Sequence, residues 1–218
     1  MAKAVADPVT DSLTDDAFLA DFMGRLAKAY VPGTPPRESG DHVLDLNRPK
    51  PPTELKSAAV LIAIIVHDNA PSVVLTRRTA HLSSHAGQIA FPGGRSDLVD
   101  ATRHLTALRE AEEEIGLDPT QVHIVGMMNP YMTGSGYNIS PIIGLVKPPV
   151  SFAANPDEVS EIFEVPLSFL MQPGNYQKIK RNWNGVTHHT YAIPYQDHYI
   201  WGVTAGILRT LYENLYLL

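Results

Sequence analysis

A run of nine apolar residues, Ala58 to Val66, sets the tightest limit on what this chain can fold into. It is rich in β-branched side chains and shows no alternation of polar and apolar positions, so it reads as a strand buried on both faces. At nine residues it falls far short of the roughly 20 that span a bilayer. Ser72–Thr76 reads as a second strand, paired with the first through the Asp68–Pro71 turn. The chain has 218 residues, of which 44% are hydrophobic. That is enough for a sizeable core, and one domain with an appendage is expected.

The appendage is N-terminal. Apolar side chains at Phe18, Leu19, Phe22, Met23 and Leu26 predict a helix over Asp15 to Ala29, capped by Asp15 or Thr14. From Val31 to Lys56 the chain holds six of its 18 prolines (Pro32, Pro35, Pro36, Pro49, Pro51 and Pro52), which predicts an extended connection rather than a helix or strand. We therefore expect an N-terminal helix and proline-rich arm over residues 1–54 and the main domain over residues 55–218. A helix is predicted over Arg103 to Ile115, stopped by Gly116 with Pro119 beyond. Strands are predicted over Val122–Met127, Ile139–Val146 and Ile162–Pro166. Lys178–Trp183 and Val186–Pro194 read as a hairpin turning at Asn184-Gly185. Thr204 to Leu217 has the spacing of an amphipathic helix. Strands and helices interleave without a strict βαβ rhythm, which gives α+β, or an α/β sandwich of mixed sheet.

Composition excludes several chemistries. No cysteine is present, which removes disulfides, thiol nucleophiles and Cys-ligated zinc and fits a reducing, cytoplasmic setting. The net charge of −6 is spread along the chain. Phosphate-backbone binding needs clustered Lys and Arg, so no nucleic-acid partner is expected. The first residues are too acidic for a mitochondrial leader and lack the layout of a signal peptide, and no membrane partner is expected.

The segment Leu105 to Leu117, L-T-A-L-R-E-A-E-E-E-I-G-L, carries the chemistry. At about 100° per residue, Glu110, Glu113 and Glu114 fall at roughly 0°, 300° and 40°, so three carboxylates share a face. Leu105, Leu108, Ala111 and Ile115 form a separate apolar stripe. Glu112 points elsewhere. Like charges at this spacing repel unless a hard divalent cation such as Mg²⁺ bridges them. Arg109, four residues ahead of Glu113, is placed to pair with it. The bland alternative is a solvated helix face. Against it stands the Phe91-Pro92-Gly93-Gly94 turn upstream, whose backbone can approach a phosphate closely.

Gly93-Gly94 followed by Arg109-Glu110-Ala111-Glu112-Glu113-Glu114-Ile115-Gly116-Leu117 resembles the Nudix box. Ala101 stands where the box has its first glutamate, with Asp97 and Asp100 as the nearby acids. Val74-Leu75-Thr76-Arg77-Arg78 and His85-Ala86-Gly87-Gln88-Ile89-Ala90-Phe91-Pro92-Gly93-Gly94 resemble the signature ahead of the box in coenzyme A pyrophosphatases, with Ser83 in place of an arginine. Asn129-Pro130-Tyr131, Thr133-Gly134-Ser135-Gly136, Asn155-Pro156-Asp157-Glu158-Val159 and Ile200-Trp201-Gly202 also fit that subgroup. The resemblance spans roughly residues 55–210. It implies an α/β/α sandwich with a mixed β-sheet between helices, and a small-molecule nucleotide substrate. The reaction implied is metal-dependent hydrolysis of coenzyme A or acyl-CoA to 3′,5′-ADP and (acyl-)4′-phosphopantetheine. The alternatives are another nucleoside diphosphate derivative, such as ADP-ribose or NADH, or a nucleotide-binding module without turnover.

Carried onto this chain, the resemblance implies Glu110, Glu113 and Glu114 as ligands of Mg²⁺ or Mn²⁺. It also implies Glu113, Glu114 and Glu158 as catalytic groups, with Glu158 the candidate base and Glu161 behind it; the equal alternative is that Asp157-Glu158 caps the next element. Arg77, Arg78, Gly93 and Gly94 are the candidate substrate contacts. His81 and His85 read as hydrogen-bonded structural residues in preference to ligand or phosphate contacts, and Tyr131 and Trp201 as core aromatics in preference to rings that stack on adenine. His188 and His189 face opposite ways on a strand and form no joint metal site. The N-terminal helix and arm are candidates for a homodimer contact.

Overall fold

The computed structural model describes residues 17–31, 33, 35, 37–45, 50–81, 85–183 and 185–217. Along the chain these form α1 (Ala17–Ala29), α2 (Asp41–Leu44), β1 (Lys56–Ile65), β2 (Ser72–Arg78), β3 (Ile89–Ala90), β4 (Gly93–Arg95) and α3 (Arg103–Ile115). They continue with β5 (Val122–Met127), β6 (Tyr131–Met132), β7 (Tyr137–Val146), β8 (Val159–Pro166), α4 (Leu167–Leu170), β9 (Gln177–Trp183), β10 (Val186–Tyr195), β11 (His198–Trp201) and α5 (Val203–Tyr216).

β1 lies inside a mixed eight-stranded sheet ordered β3-β2-β1-β7-β5, with β4 added to β1, β6 to β7 and β8 to β2. It runs parallel to β7 over its whole length and antiparallel to β2 and β4. The unbroken apolar run has a direct reason. Ala59, Leu61, Ala63 and Ile65 point to one core, shared with Ala107, Ala111 and Ile115 of α3, while Ile62 and Ile64 point to the other, shared with α1 and α5. Each face of the strand is thus covered by helix, as a buried strand requires. β9, β10 and β11 make a separate three-stranded antiparallel sheet.

The α+β architecture with a mixed sheet between helices stands as read from sequence, and α3 and β5 begin and end at the expected residues. Three expectations need correction. The proline-rich stretch holds a helical turn, α2, because Asp41 accepts from the Tyr131 hydroxyl at 2.9 Å and from the Gly134 N–H at 3.1 Å, which pins it to the sheet end. Leu105 is 49% exposed, and Ala107 takes its place in the core. Ten residues separate Leu105 from Ile115, about 1000° of rotation, so Leu105 lies roughly 80° off the buried line. The short elements β3, β4, β6, β11 and α4 carry too few residues to show periodicity and went unpredicted. The capping positions Thr14 and Asp15, Ser83, Asn184 of the hairpin turn, and Pro32, Pro36 and Pro49 lie outside the described residues.

Candidate active site

The geometry starts with two glycines. Gly93 has φ 153°, and a β-carbon there would sit 2.5 Å from the Ala59 carbonyl oxygen, so only glycine lets β4 lie this close to β1. A β-carbon on Gly94 would collide with the Glu110 carboxylate. The turn therefore presses directly against the acidic face of α3. Gly93 donates its N–H to Glu114 Oε2 at 3.1 Å.

α3 holds its carboxylates in register because both ends are closed. The Thr102 hydroxyl accepts from the Leu105 N–H, and Gly116 adopts the left-handed conformation (φ 66°, ψ 20°) that terminates the helix. The three glutamates then part company. Glu114 is 3% exposed, and burial, with the neighbouring Glu158 and Glu110 charges, pushes its carboxyl up to about 7 against the Gly93 hydrogen bond and the Arg78 charge. Glu110 is also raised, by burial first, and Glu113 and Glu158 add to the effect while Arg109 opposes it. The Glu113 side chain is 55% exposed and pairs with Arg109 at 2.9 Å.

Glu158 reaches this place through the backbone. The segment between β7 and β8 is tied to the end of α3 by Ala153 N–H donating to the Ile115 carbonyl (2.8 Å) and Asn155 N–H to the Glu114 carbonyl (2.9 Å). The Asn155 side chain accepts from Asp157 N–H, and its carbonyl accepts from Glu158 N–H, closing a turn that carries the half-buried Glu158 toward Glu110 and Glu114.

Arg78 and Arg77 go separate ways. Arg78 Nη1 lies 3.5 Å from Glu114 Oε1, and its Nε is buried with no hydrogen-bond partner among the described residues. Arg77 pairs with Glu161 at 2.8 Å, and Glu161 also meets His198 Nε2 at 3.0 Å. The structure thus brings Arg78, Gly93, Gly94, Glu110 and Glu114 together within reach of the Glu158 charge, leaves Glu113 at the rim, and holds Arg77 and Glu161 in an ion pair of their own. His81 bonds the Asp157 carbonyl and His85 bonds Gln88, both within loops. Tyr131 is fully buried, whereas Trp201 is only half-buried, with the Arg181 guanidinium 4.5 Å above its ring.

The acid that supports Arg109 is Asp100 and not a residue at 101. Its side chain is 5% exposed and binds Arg109 through both oxygens, at 3.2 Å to Nε and 3.0 Å to Nη2. Arg109 in turn reaches Glu110 and Glu113, each at 2.9 Å. Sequence spacing counted back from Arg109 lands on Ala101; the Asp100 N–H to Asp97 carbonyl turn takes up the extra residue.

Among the described residues no three histidine, aspartate or glutamate side chains are gathered closely enough to enclose a metal ion. The donor chemistry nonetheless fits a hard divalent cation. The charge of Glu158 opposes ionisation of both Glu110 and Glu114, that of Glu110 also opposes Glu114, and Arg78 is the cation paired with Glu114. Oxygen donors with excess negative charge are what Mg²⁺ and Mn²⁺ take.

Residues 56–183 match the NUDIX domain family model. An uncharacterized Nudix hydrolase, NudL, of Yersinia pestis (strain Pestoides F) is 42% identical over 160 residues, covering 73% of this chain and 80% of the relative. NudL of Yersinia pseudotuberculosis (serotype O:1b) matches with the same identity and coverage. Among solved structures, a C. elegans Ap4A hydrolase binary complex aligns with TM-score 0.44 at 18% identity, over 52% of this chain and 82% of that one.

Proposed function

The chain belongs to the NUDIX domain family, and from that premise we propose that it hydrolyses the pyrophosphate bond of coenzyme A or an acyl-CoA, giving 3′,5′-ADP and (acyl-)4′-phosphopantetheine. Membership makes it a hydrolase of nucleoside diphosphate derivatives. The coenzyme A reading is supported by Val74–Arg78 and His85–Gly94 ahead of the acidic helix. The observation that carries the chemistry is the packing of Glu110 and Glu114 against the Gly93-Gly94 turn, with Arg78 beside Glu114 and the charge of Glu158 acting on both glutamates.

A pyrophosphate is multiply anionic and repels nucleophiles, so the site must set positive charge against it and orient a water. Glu110 and Glu114, with Glu113 at the rim, would hold Mg²⁺ or Mn²⁺, which supplies that charge and acidifies water. Arg78 pairs with a phosphoryl oxygen, its buried Nε having no hydrogen-bond partner among the described residues. Glu158 accepts a proton from the attacking water as the water oxygen bonds to phosphorus and the bridging P–O bond breaks. The departing phosphate monoester keeps the electron pair. Asp100 and Arg109 do not touch substrate; they position Glu110 and Glu113.

Product analysis of the full chain with coenzyme A, ADP-ribose and NADH, each with and without Mg²⁺ or Mn²⁺, tests this reading. We expect metal-dependent release of 3′,5′-ADP from coenzyme A, faster than cleavage of the other two. Cleavage of ADP-ribose or NADH alone would overturn the substrate, and no cleavage of any would overturn the enzymatic reading in favour of a nucleotide-binding module.

A further inference from the structure

α2, the loop ahead of β3, the β6–β7 turn and the β9–β11 sheet meet around a cleft of about 400 Å³, a size that suits a nucleotide-sized ligand. It adjoins the acidic centre. Gln88, on its rim, accepts a backbone hydrogen bond from Arg78 (2.9 Å), the residue whose guanidinium faces Glu114.

One wall is the three-stranded sheet, which presents Arg181, the buried His188 directly opposite it in register, and Trp201. The Arg181 guanidinium lies 4.5 Å from the Trp201 ring centroid. A guanidinium held over an aromatic ring makes no hydrogen bond there, so its N–H donors stay available to a second group. Arg181 has no carboxylate at ion-pair distance among the described residues, in a chain of net charge −6. Asp41, which also lines the cleft, turns its two oxygens to the Tyr131 hydroxyl and the Gly134 N–H. His85 approaches from the facing wall in the left-handed region (φ 57°), held there by Gln88 at 2.9 Å.

An unpaired fork of donors laid on an aromatic ring suits a ligand that is both aromatic and anionic. We propose that this cleft receives the adenosine 3′-phosphate half of the substrate, with Trp201 facing the base and Arg181 binding the phosphomonoester. The inference rests on the coenzyme A reading above: of the two halves of that molecule, only this one carries a ring and a terminal phosphate. Arg181 is then the residue that separates substrates with the extra phosphate from those without it.

The test is isothermal titration calorimetry of the full chain with adenosine 3′,5′-bisphosphate and with AMP, run for the wild type, Arg181→Gln and Trp201→Leu. Losing a charge-assisted pair should weaken the bisphosphate about tenfold or more in Arg181→Gln, while AMP binding stays within about twofold. Trp201→Leu should weaken both ligands. Arg181 is exposed on β9, so its variant reports on the cleft even if Trp201→Leu fails to fold. Equal bisphosphate affinity in wild type and Arg181→Gln, or no preference of the wild type for the bisphosphate over AMP, overturns the proposal. Coenzyme A turnover is followed in parallel. Bisphosphate discrimination without turnover overturns the coenzyme A reading and leaves the cleft assigned; turnover unaffected by Arg181→Gln does the reverse.

Discussion

Asp100 illustrates how one residue carries weight through another. The Arg109 guanidinium, followed by the Asp97 backbone N–H, holds its carboxyl well below the ordinary aspartate value of 3.8. A carboxyl depressed on folding contributes stability that is fully present above its unfolded value and is lost as pH falls through that value toward the folded one. Asp100→Asn is therefore expected to unfold at lower urea than the wild type at pH 7, with the gap narrowing progressively as the pH is lowered below 3.8. A gap of constant size would contradict the pairing. Glu158 makes a different prediction. On the proposed role of Glu158 as proton acceptor, Glu158→Gln should lower kcat by about 10²–10⁴ with an unchanged circular dichroism spectrum; wild-type turnover would remove it from the mechanism.

At the scale of elements, α3 was legible because its limits are written in side chains: Thr102 at one end, Gly116 at the other, and an apolar line between acidic positions. Thr102→Ala should cost about 1 kcal/mol, a drop in Tm of about 2–4 °C for a chain of this size, with kcat unchanged because the carboxylates keep their register. The tether that brings Glu158 to the helix was not legible. It consists of Asn155 and Ala153 N–H groups on the Glu114 and Ile115 carbonyls, and backbone pairings leave no residue signature. The same holds for β3, β4, β6 and β11, which exist through pairing with longer strands. α2 was hidden for another reason: a four-residue turn among prolines is stabilised by Tyr131 and Gly134, about 90 positions away in sequence. The separate fates of Arg77 and Arg78 follow from strand alternation, which sends neighbouring side chains of β2 to opposite faces; opposite them β8 carries one extra residue, Ser160.

On the scale of the molecule, the two faces of β1 define two cores, and each serves the site differently. The smaller one seats α3 against Ala59, Leu61 and Ala63 and so aims the acidic face at Gly93 and Gly94. The larger one draws in α1, whose Leu19, Phe22 and Leu26 are buried with Leu208 and Leu211 of α5. Phe22→Ala should accordingly destabilise the whole chain by about 3–5 kcal/mol, read as a shifted urea midpoint; a change below about 1 kcal/mol would mean that α1 is not part of the core. The apolar run at β1 announced both layers from the sequence, whereas the cleft beside the site arises only where α2, two turns and the second sheet meet. We propose that Glu114, buried against Gly93 and subject to the charges of Glu110 and Glu158, is indispensable to pyrophosphate cleavage. Turnover of coenzyme A by the wild type and by Glu114→Gln, each with Mg²⁺ and with EDTA, tests it most directly. The wild type should release 3′,5′-ADP only with metal, and the folded variant should release none; wild-type-like turnover by Glu114→Gln, or metal-independent cleavage, would contradict the account.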